Sequence, residues 1–326
     1  MIYLHDRHIL EIGIDWPMLT GLMEETVRIK AEGDCVHPLK PYLRFRDRAN
    51  RIIAMPAFVG GSVDMAGIKW IASFPNNRRL GLPRAHNTMI LNDPATGEPA
   101  AFIHSGLLSA IRTAAVSGLM MEAFLAGRPS AKLRRGIVGC GPVGRMHLDM
   151  CTALFGDKLE RIALYDLLPI DMDTVPEAAR AKIEIADDWR QVYRNSDIFI
   201  TCTVSAERYI DEPPRKGALL LNVSLRDYKP ESVAKVPVVV VDDWQEVCRE
   251  NTDIERLHLQ YGLLPSAVLT LEDVICHDKL DACNGEEAVF FNPMGLAVFD
   301  ISAAKFYLQE ALRLGKGIRL EKANEN

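Results

Sequence analysis

Three charged residues stand in apolar surroundings, and each could act on an amino or carboxyl group. Lys69 interrupts Ala66-Gly-Ile-Lys-Trp-Ile-Ala72. Charges are rarely buried unpaired, and two-residue alternation turns Lys69 away from the face carrying Ile68 and Trp70. It reads either as an edge-strand cation facing water or as a cleft cation that binds a carboxylate or polarises a carbon–nitrogen centre. Arg112 is the only charge between His104 and Glu122. On a helix that is otherwise apolar or small it must snorkel or meet an anion. Its planar fork suits a carboxylate or phosphate bidentately, and a structural salt bridge is the competing reading. Asp227 ends Leu219-Leu-Leu-Asn-Val-Ser-Leu-Arg-Asp227, just past an expected parallel strand. Active sites of open α/β sheets lie outside such strand ends. A carboxylate there can serve as general base or activate water; an Asx-turn or helix cap is the alternative.

A fourth cluster concerns phosphate. Leu133-Arg-Arg-Gly-Ile-Val-Gly-Cys-Gly-Pro-Val-Gly144 holds G-x-G-x-x-G at Gly139, Gly141 and Gly144. A short buried strand precedes it, and Val143 to Leu154 has helical spacing. In that context Gly139 allows the tight turn, Gly141 admits a pyrophosphate, and Gly144 lets helix and strand pack closely. The helix start, at Pro142 and Val143, offers free N–H groups to phosphate. A second strand, Arg161–Tyr165, runs into Asp166, a carboxylate placed to take ribose hydroxyls. It lies 27 residues past Gly139, longer than the usual spacing of about 20. No arginine follows Asp166 directly, which favours NAD over NADP. A third strand, Asp197–Thr203, follows at βαβ spacing. The competing reading is an α/β sheet with a structural glycine turn.

The elements that must position these groups fall into two sets. Asp15 and Pro17 open an amphipathic helix that stops at Gly33. From Lys40 to Ser105 strands dominate: Pro41–Phe45, Arg51–Pro56, Val63–Phe74, Asn87–Leu91 and Ala100–His104. Asn92-Asp-Pro-Ala-Thr-Gly97 reads as the turn between the last two. This mostly antiparallel sheet forms a separate domain. Ser105 caps a long helix over Gly106–Ala126, and Gly127–Ala131 reads as a linker. The nucleotide fold follows from about Ala131 to Ala297, with later strands at Ala218–Val223 and Val236–Val241. A final helix, Asp300–Leu314, crosses back to the first domain. The fold class is therefore α/β: a Rossmann-type doubly wound parallel sheet plus a second, α+β domain.

Composition bounds the rest. The chain has 326 residues, 48% hydrophobic and 25% charged, which is ordinary for a globular protein. A net charge of −6 argues against general nucleic-acid or membrane-surface binding while allowing a local basic pocket for an acidic substrate. The seven cysteines are scattered without C-x-x-C, which fits a reducing cytosol. The opening residues do not read as a signal peptide, and no uninterrupted apolar run reaches membrane-spanning length. The eight histidines show no metal-ligand spacing, so no metal site is expected. No G-x-S-x-G and no activated cysteine stands out.

Several segments in order resemble the ornithine cyclodeaminase/mu-crystallin family: Ile68-Lys-Trp-Ile71, Asn76-Asn-Arg-Arg-Leu-Gly-Leu-Pro83, Ile90-Leu-Asn-Asp-Pro-Ala-Thr-Gly-Glu-Pro99, Ala110-Ile-Arg-Thr-Ala-Ala115, the glycine motif, Val240-Val-Asp-Asp-Trp244 and Asn292-Pro-Met-Gly-Leu-Ala297. The likeness covers nearly the whole chain. It implies a substrate-binding and dimerisation domain from 1–112 with 304–326, an NAD-binding Rossmann domain over 113–303, a site in the cleft between them, and a cytoplasmic homodimer. It further implies Lys69 and Asp227 as catalytic residues, and Arg44, Lys69, Arg84, Arg112 and Asp227 as substrate ligands. Arg112, Thr113, Gly139, Gly141, Pro142, Val143, Gly144, Asp166, Thr203, Ser224 and Met294 would bind NAD.

Two departures narrow the activity. Arg84 stands where cyclodeaminases usually carry a small hydroxyl residue, and Ile53 replaces their glutamate ahead of Met-Pro. An added cation and a missing anion suit a small amino-acid substrate with several carboxylates. Lys40–Phe45, Trp70–Asn76 and Asn222–Asp227 are most similar to the N-(2-amino-2-carboxyethyl)-L-glutamate dehydrogenase branch, which yields 2,3-diaminopropionate for siderophores and peptide antibiotics. The alternatives within the family are cyclisation of ornithine to proline and ammonia, and binding of nucleotide and organic acid without turnover.

Overall fold

The computed structural model describes residues 1–126, 128, 133–281, 283 and 285–321, apart from the side chain of Arg78. The expected linker over Gly127–Ala131 lies, except for Arg128, outside the described residues. The chain forms two compact units: Met1–Thr113 with the segment from Leu296 onward, and Ala114–Gly295. The return to the first unit comes at Leu296, ahead of 304, because the whole of the last helix, Ala297–Leu314, packs with the first sheet.

The first unit supplies strands β1 (Ile2–His5), β2 (Cys35–Val36), β3 (Tyr42–Leu43), β4 (Arg51–Val59), β5 (Met65–Ser73), β6 (Ala85–Asn92) and β7 (Pro99–His104). The second supplies β8 (Leu133–Val138), β9 (Leu159–Tyr165), β10 (Ile183–Ile185), β11 (Ile198–Thr201), β12 (Leu219–Asn222), β13 (Val238–Val241), β14 (Leu269–Thr270) and β15 (Val289–Asn292). The chain then adds β16 (Ile318–Arg319) to the first.

The first sheet runs β16-β1-β7-β6-β5-β4-β2, with β3 also pairing β4. Only β1–β7 is parallel. Asp15 caps the Trp16–Ala31 helix by accepting from the Met18 N–H at 3.0 Å, the arrangement that satisfies an otherwise orphaned donor. Alternation gives the sheet two faces. The inner one, with Met55, Met65, Met89 and Ile103, is buried. The helix Ala297–Leu314 lies on β4 and β5. Gly67 permits its close approach: a Cβ there would fall 2.9 Å from Ile301 Cδ1 and 2.4 Å from the Ile90 carbonyl oxygen. The outer face carries a cross-strand apolar row, Tyr3–Phe102–Ile90–Ile68–Pro56. Beside it Trp70 is 43% exposed.

The second sheet is parallel throughout, in the order β10-β9-β8-β11-β12-β15-β13-β14. Strands β11, β12, β13 and β15 are buried at every position, the pattern of a sheet covered on both faces. The chain order reverses at β8, so the crevice for a ligand opens at the carboxyl ends of β8 and β11.

The helix Gly106–Ala126 keeps its expected bounds, and Ser105 Oγ accepts from the Leu108 N–H at 2.9 Å. By length and composition it could cross a membrane, although Arg112 interrupts its apolar run; 72% of its most apolar window is buried within the protein. That burial marks a core helix.

Candidate active site

The first unit builds a buried ionic triad. Strand β5 lies between β4 and β6 rather than at an edge, so Lys69 does not face water. Alternation holds, with lysine inside and tryptophan outside. Lys69 Nζ donates to Asp300 Oδ1 at 2.8 Å and to Ser109 Oγ at 2.7 Å. Arg112 Nε donates to the same Asp300 oxygen at 2.7 Å. Asp300 is fully buried, Lys69 is 1% exposed and Arg112 8%. Both cations thus meet an anion, and the salt-bridge reading of Arg112 is realised through its Nε. Burial lowers the Lys69 pKa to about 8; Asp300 opposes the shift, while Arg112 and Lys40 add to it. Removing Asp300 would leave two buried cations uncompensated, a loss of about 3–5 kcal/mol.

The other expected substrate ligands lie in the same unit. Arg84 Nη1 donates to Ser73 Oγ at 3.0 Å, and Ser73 shares the Lys69 face of β5. The exposed Arg44 guanidinium stacks 5.1 Å from the Tyr42 ring centroid and lines a cavity of about 480 Å³ with Phe45, Arg46 and Arg48. Thr113 Oγ1 donates back to the Ser109 carbonyl at 2.8 Å.

The second unit gathers its candidates at the carboxyl ends of its strands. Gly139 has φ +93°, and a Cβ there would lie 2.6 Å from Cys202 backbone atoms. A Cβ on Gly144 would lie 1.9 Å from the Gly139 carbonyl oxygen, whereas one on Gly141 would meet nothing within 4 Å. Two glycines are therefore required by the fold, and the third faces open space. Gly141 is also the N-cap of the Pro142–Phe155 helix, with no side chain capping it. Pro142 has no N–H and the Arg145 N–H donates to the Gly141 carbonyl at 2.9 Å, so the N–H groups of Val143 and Gly144 are the ones that suit a phosphate. Asp166 Oδ2 accepts from the Cys140 N–H at 2.6 Å, and Oδ1 from the Leu168 N–H at 3.0 Å. The next residue, Leu167, is 88% exposed and offers no cation for a 2′-phosphate. The glycine turn and open helix start form a cradle that fits a dinucleotide.

Thr203 links the glycine turn to Asp227. Its backbone nitrogen would sit 2.8 Å from a Cβ on Gly139, and its Oγ1 lies 2.8 and 2.7 Å from the two Asp227 oxygens. Ser224 Oγ donates to Asp227 at 2.6 Å and Tyr209 Oη at 3.2 Å. The carboxylate therefore accepts hydroxyls and caps no helix. It is 1% exposed. Burial raises its pKa, against the hydroxyl bonds and Arg208, so a proton can be held or released there.

A residue not singled out from sequence holds this loop. Asp253, also buried, accepts from the backbone N–H of Asp227 at 3.2 Å and of Tyr228 at 3.1 Å, from Asn222 Nδ2 at 2.9 Å, and from Arg208 Nε at 2.7 Å. It steadies the turn in which Leu225 adopts φ +66°, a strained conformation for a side-chain-bearing residue. Asp242 plays a similar part for Met294: its carboxylate accepts from Met294 N–H at 2.9 Å and Gly295 N–H at 2.6 Å.

Buried His147 is a structural group. Its Nδ1–H donates to the Val143 carbonyl at 2.8 Å, its Nε2 accepts from Ser117 Oγ at 2.8 Å, and burial lowers its pKa to about 4. Burial and Asp166 push the Cys140 thiol up to about 12, which removes it as a nucleophile. Among the described residues no group of His, Cys, Asp or Glu is arranged to hold a metal.

A parallel sheet with a dinucleotide cradle, joined to a mixed-sheet unit bearing a buried cation pair, defines a two-unit Rossmann-type class. The ornithine cyclodeaminase/mu-crystallin family model matches residues 7–314, and the chain belongs to that family. A Staphylococcus aureus N-((2S)-2-amino-2-carboxyethyl)-L-glutamate dehydrogenase is 33% identical over 98% of each chain. The Thermococcus litoralis Δ1-pyrroline-2-carboxylate reductase, solved with NADH and L-proline, superposes with TM-score 0.88 over 98% of this chain and 100% of that one, at 24% identity. An archaeal alanine dehydrogenase dimer with bound NAD gives TM-score 0.79 at 22% identity, over 98% of this chain and 99% of that one.

Proposed function

We propose that the chain is an NAD-dependent amino-acid dehydrogenase that oxidatively cleaves N-(2-amino-2-carboxyethyl)-L-glutamate to L-2,3-diaminopropionate and 2-oxoglutarate. The observation that carries the reading is the 33% identity to the staphylococcal dehydrogenase over 98% of both chains. The cradle of Gly139, Gly141 and Gly144 supports the cofactor. NAD⁺, when bound, supplies the oxidant that takes a hydride from the glutamate α-carbon, leaving the substrate as an imine. Asp227 takes a proton from water as the oxygen adds to the imine carbon; the carbon–nitrogen bond then breaks, with the proton delivered to the departing amine. Thr203, Ser224 and Tyr209 hold the carboxylate in place for both steps. Lys69 and the remaining nitrogens of Arg112 orient a substrate carboxylate, with Arg44 and Arg84 as further ligands. One water is consumed, and NADH and one proton are released.

The apolar outer face of the first sheet and the archaeal dimer of the same fold support a homodimer. A reducing cytosol suits the cysteines, none of which forms a disulfide among the described residues.

Absorbance at 340 nm, followed after mixing protein, NAD⁺ and the synthetic conjugate, tests the reading, with ornithine and alanine in parallel. The expected outcome is a rise with the conjugate alone and stoichiometric 2-oxoglutarate. A flat trace, with proline and ammonia formed from ornithine, would move the protein to the cyclodeaminase branch.

A further inference from the structure

Between Leu43 and Ile52 the chain carries four arginines, Arg44, Arg46, Arg48 and Arg51, against one carboxylate, Asp47. In a protein of net charge −6 this is a strong local reversal. Asp47 does not neutralise it. Its Oδ1 accepts from the Ala49 N–H at 2.9 Å, and its Oδ2 faces Asn76 Nδ2 at 3.4 Å. Three of the arginines instead line one cavity of about 480 Å³, with Phe45 as the fourth lining residue. The Phe45 ring is braced edge-on by Phe74, 6.3 Å between centroids. Tyr42 holds like charges together: the Arg44 and Arg51 guanidiniums lie 5.1 and 6.0 Å from its ring centroid, within cation–π range.

Strand register ties this cavity to the Lys69 face. Arg51 pairs with Ser73, and Ser73 accepts from Arg84. Ser73 lies four residues beyond Lys69 on the same face of β5, about 13 Å along the strand. A track of positive charge thus runs from Lys69 through Arg84 toward the arginine loop. A ligand with one carboxylate could use only the Lys69 end. A ligand carrying carboxylates at both ends could use the whole track.

We propose that Arg46 and Arg48, with Arg44, form the site for the distal carboxylates of the substrate and set the preference for a multi-carboxylate amino acid over a monocarboxylate one. The proposal rests on the substrate reading above and adds two residues to it. The guanidinium forks suit carboxylates bidentately, and Asp47, the one carboxylate between Leu43 and Ile52, is taken up by Ala49 and Asn76.

The test pairs turnover with direct binding. In the double variant Arg46→Ala/Arg48→Ala, KM for the conjugate rises about 30-fold, from two charge-assisted contacts. The kcat stays within about threefold, and the NADH Kd and the melting temperature are unchanged. By titration calorimetry, the Kd for tricarballylate, a plain tricarboxylate, rises by a similar factor. Arg46→Lys/Arg48→Lys, which keeps charge but loses the fork, falls between. If the alanine variant binds tricarballylate and uses the conjugate as wild type does, the site is overturned while the substrate reading stands. If wild type leaves the conjugate untouched but binds tricarballylate, and the variant loses that binding, the site stands and the substrate reading falls. Failure of wild type on both counts overturns both.

Discussion

Lys69 is a buried cation set among one anion, Asp300, and two further cations, Arg112 and Lys40. Its pKa near 8 makes its charge a function of ordinary assay pH. If the protonated amine binds the substrate carboxylate, kcat/KM is level below pH 8 and falls tenfold per unit above it, since that ratio reports the free enzyme. In Lys69→Arg the alkaline limb disappears, because a guanidinium stays charged. In Asp300→Asn it moves to lower pH, because the group that holds the proton on Lys69 is gone. A pH–rate profile of the three proteins decides the matter; an unchanged limb in Lys69→Arg would assign it to another group. Lys69, Arg112 and Asp227 were legible in the sequence as charges in apolar company. Asp300 gives the same signal in Ala297-Val-Phe-Asp-Ile301 but reads as the plain start of a helix. Its partners lie 231 and 188 residues away, a pairing no local pattern announces. Asp253 is less visible still, because Thr252-Asp-Ile-Glu255 looks like an ordinary helix start, and Thr252 does cap that helix.

The glycine turn separates two kinds of glycine. Gly144→Ala forces a Cβ to 1.9 Å from backbone, so the expected outcome is a fall in melting temperature of several degrees together with loss of NADH binding. Gly141→Ala fills only open space at an ordinary φ of −69°. It should melt within about 2 °C of wild type yet bind NADH at least tenfold more weakly, because the methyl occupies the approach of the pyrophosphate. Calorimetric melts beside fluorescence titration with NADH check both. Equal nucleotide affinity in Gly141→Ala would place the phosphates elsewhere. Elements with a strong period were readable from sequence, and the Gly106–Ala126 helix kept both ends. Strand β15 was missed. Val289-Phe-Phe-Asn292 is four residues long, without alternation, and pairs between β12 and β13. A run that short cannot be told from a buried helix segment by periodicity alone. An edge position for the Lys69 strand stayed open in the sequence for a related reason: its neighbours β4 and β6 pair with it through register that only the fold supplies.

At the scale of the molecule the outer face of the first sheet matters most. Ile90, 38% exposed, sits at the centre of a five-strand apolar row, and Trp70, 43% exposed, stands beside it, an arrangement that marks an interaction surface. Light scattering should give twice the chain mass of 36.4 kDa, and Ile90→Glu should reduce it to one chain while leaving NADH binding intact. A monomeric wild type would refute pairing through this face. The apolar row was not foreseen from sequence, because it arises only when five strands come into register. The route of the chain has a consequence for its synthesis. The second unit is one contiguous stretch and can fold as soon as it leaves the ribosome, since domains fold as units. The first unit cannot: Lys69 and Arg112 are made early, and their counter-ion arrives with the last helix. A product released before that helix is complete carries two cations destined for a dry interior and nothing to neutralise them. The first unit therefore balances its buried charge only when Asp300 joins Lys69 and Arg112.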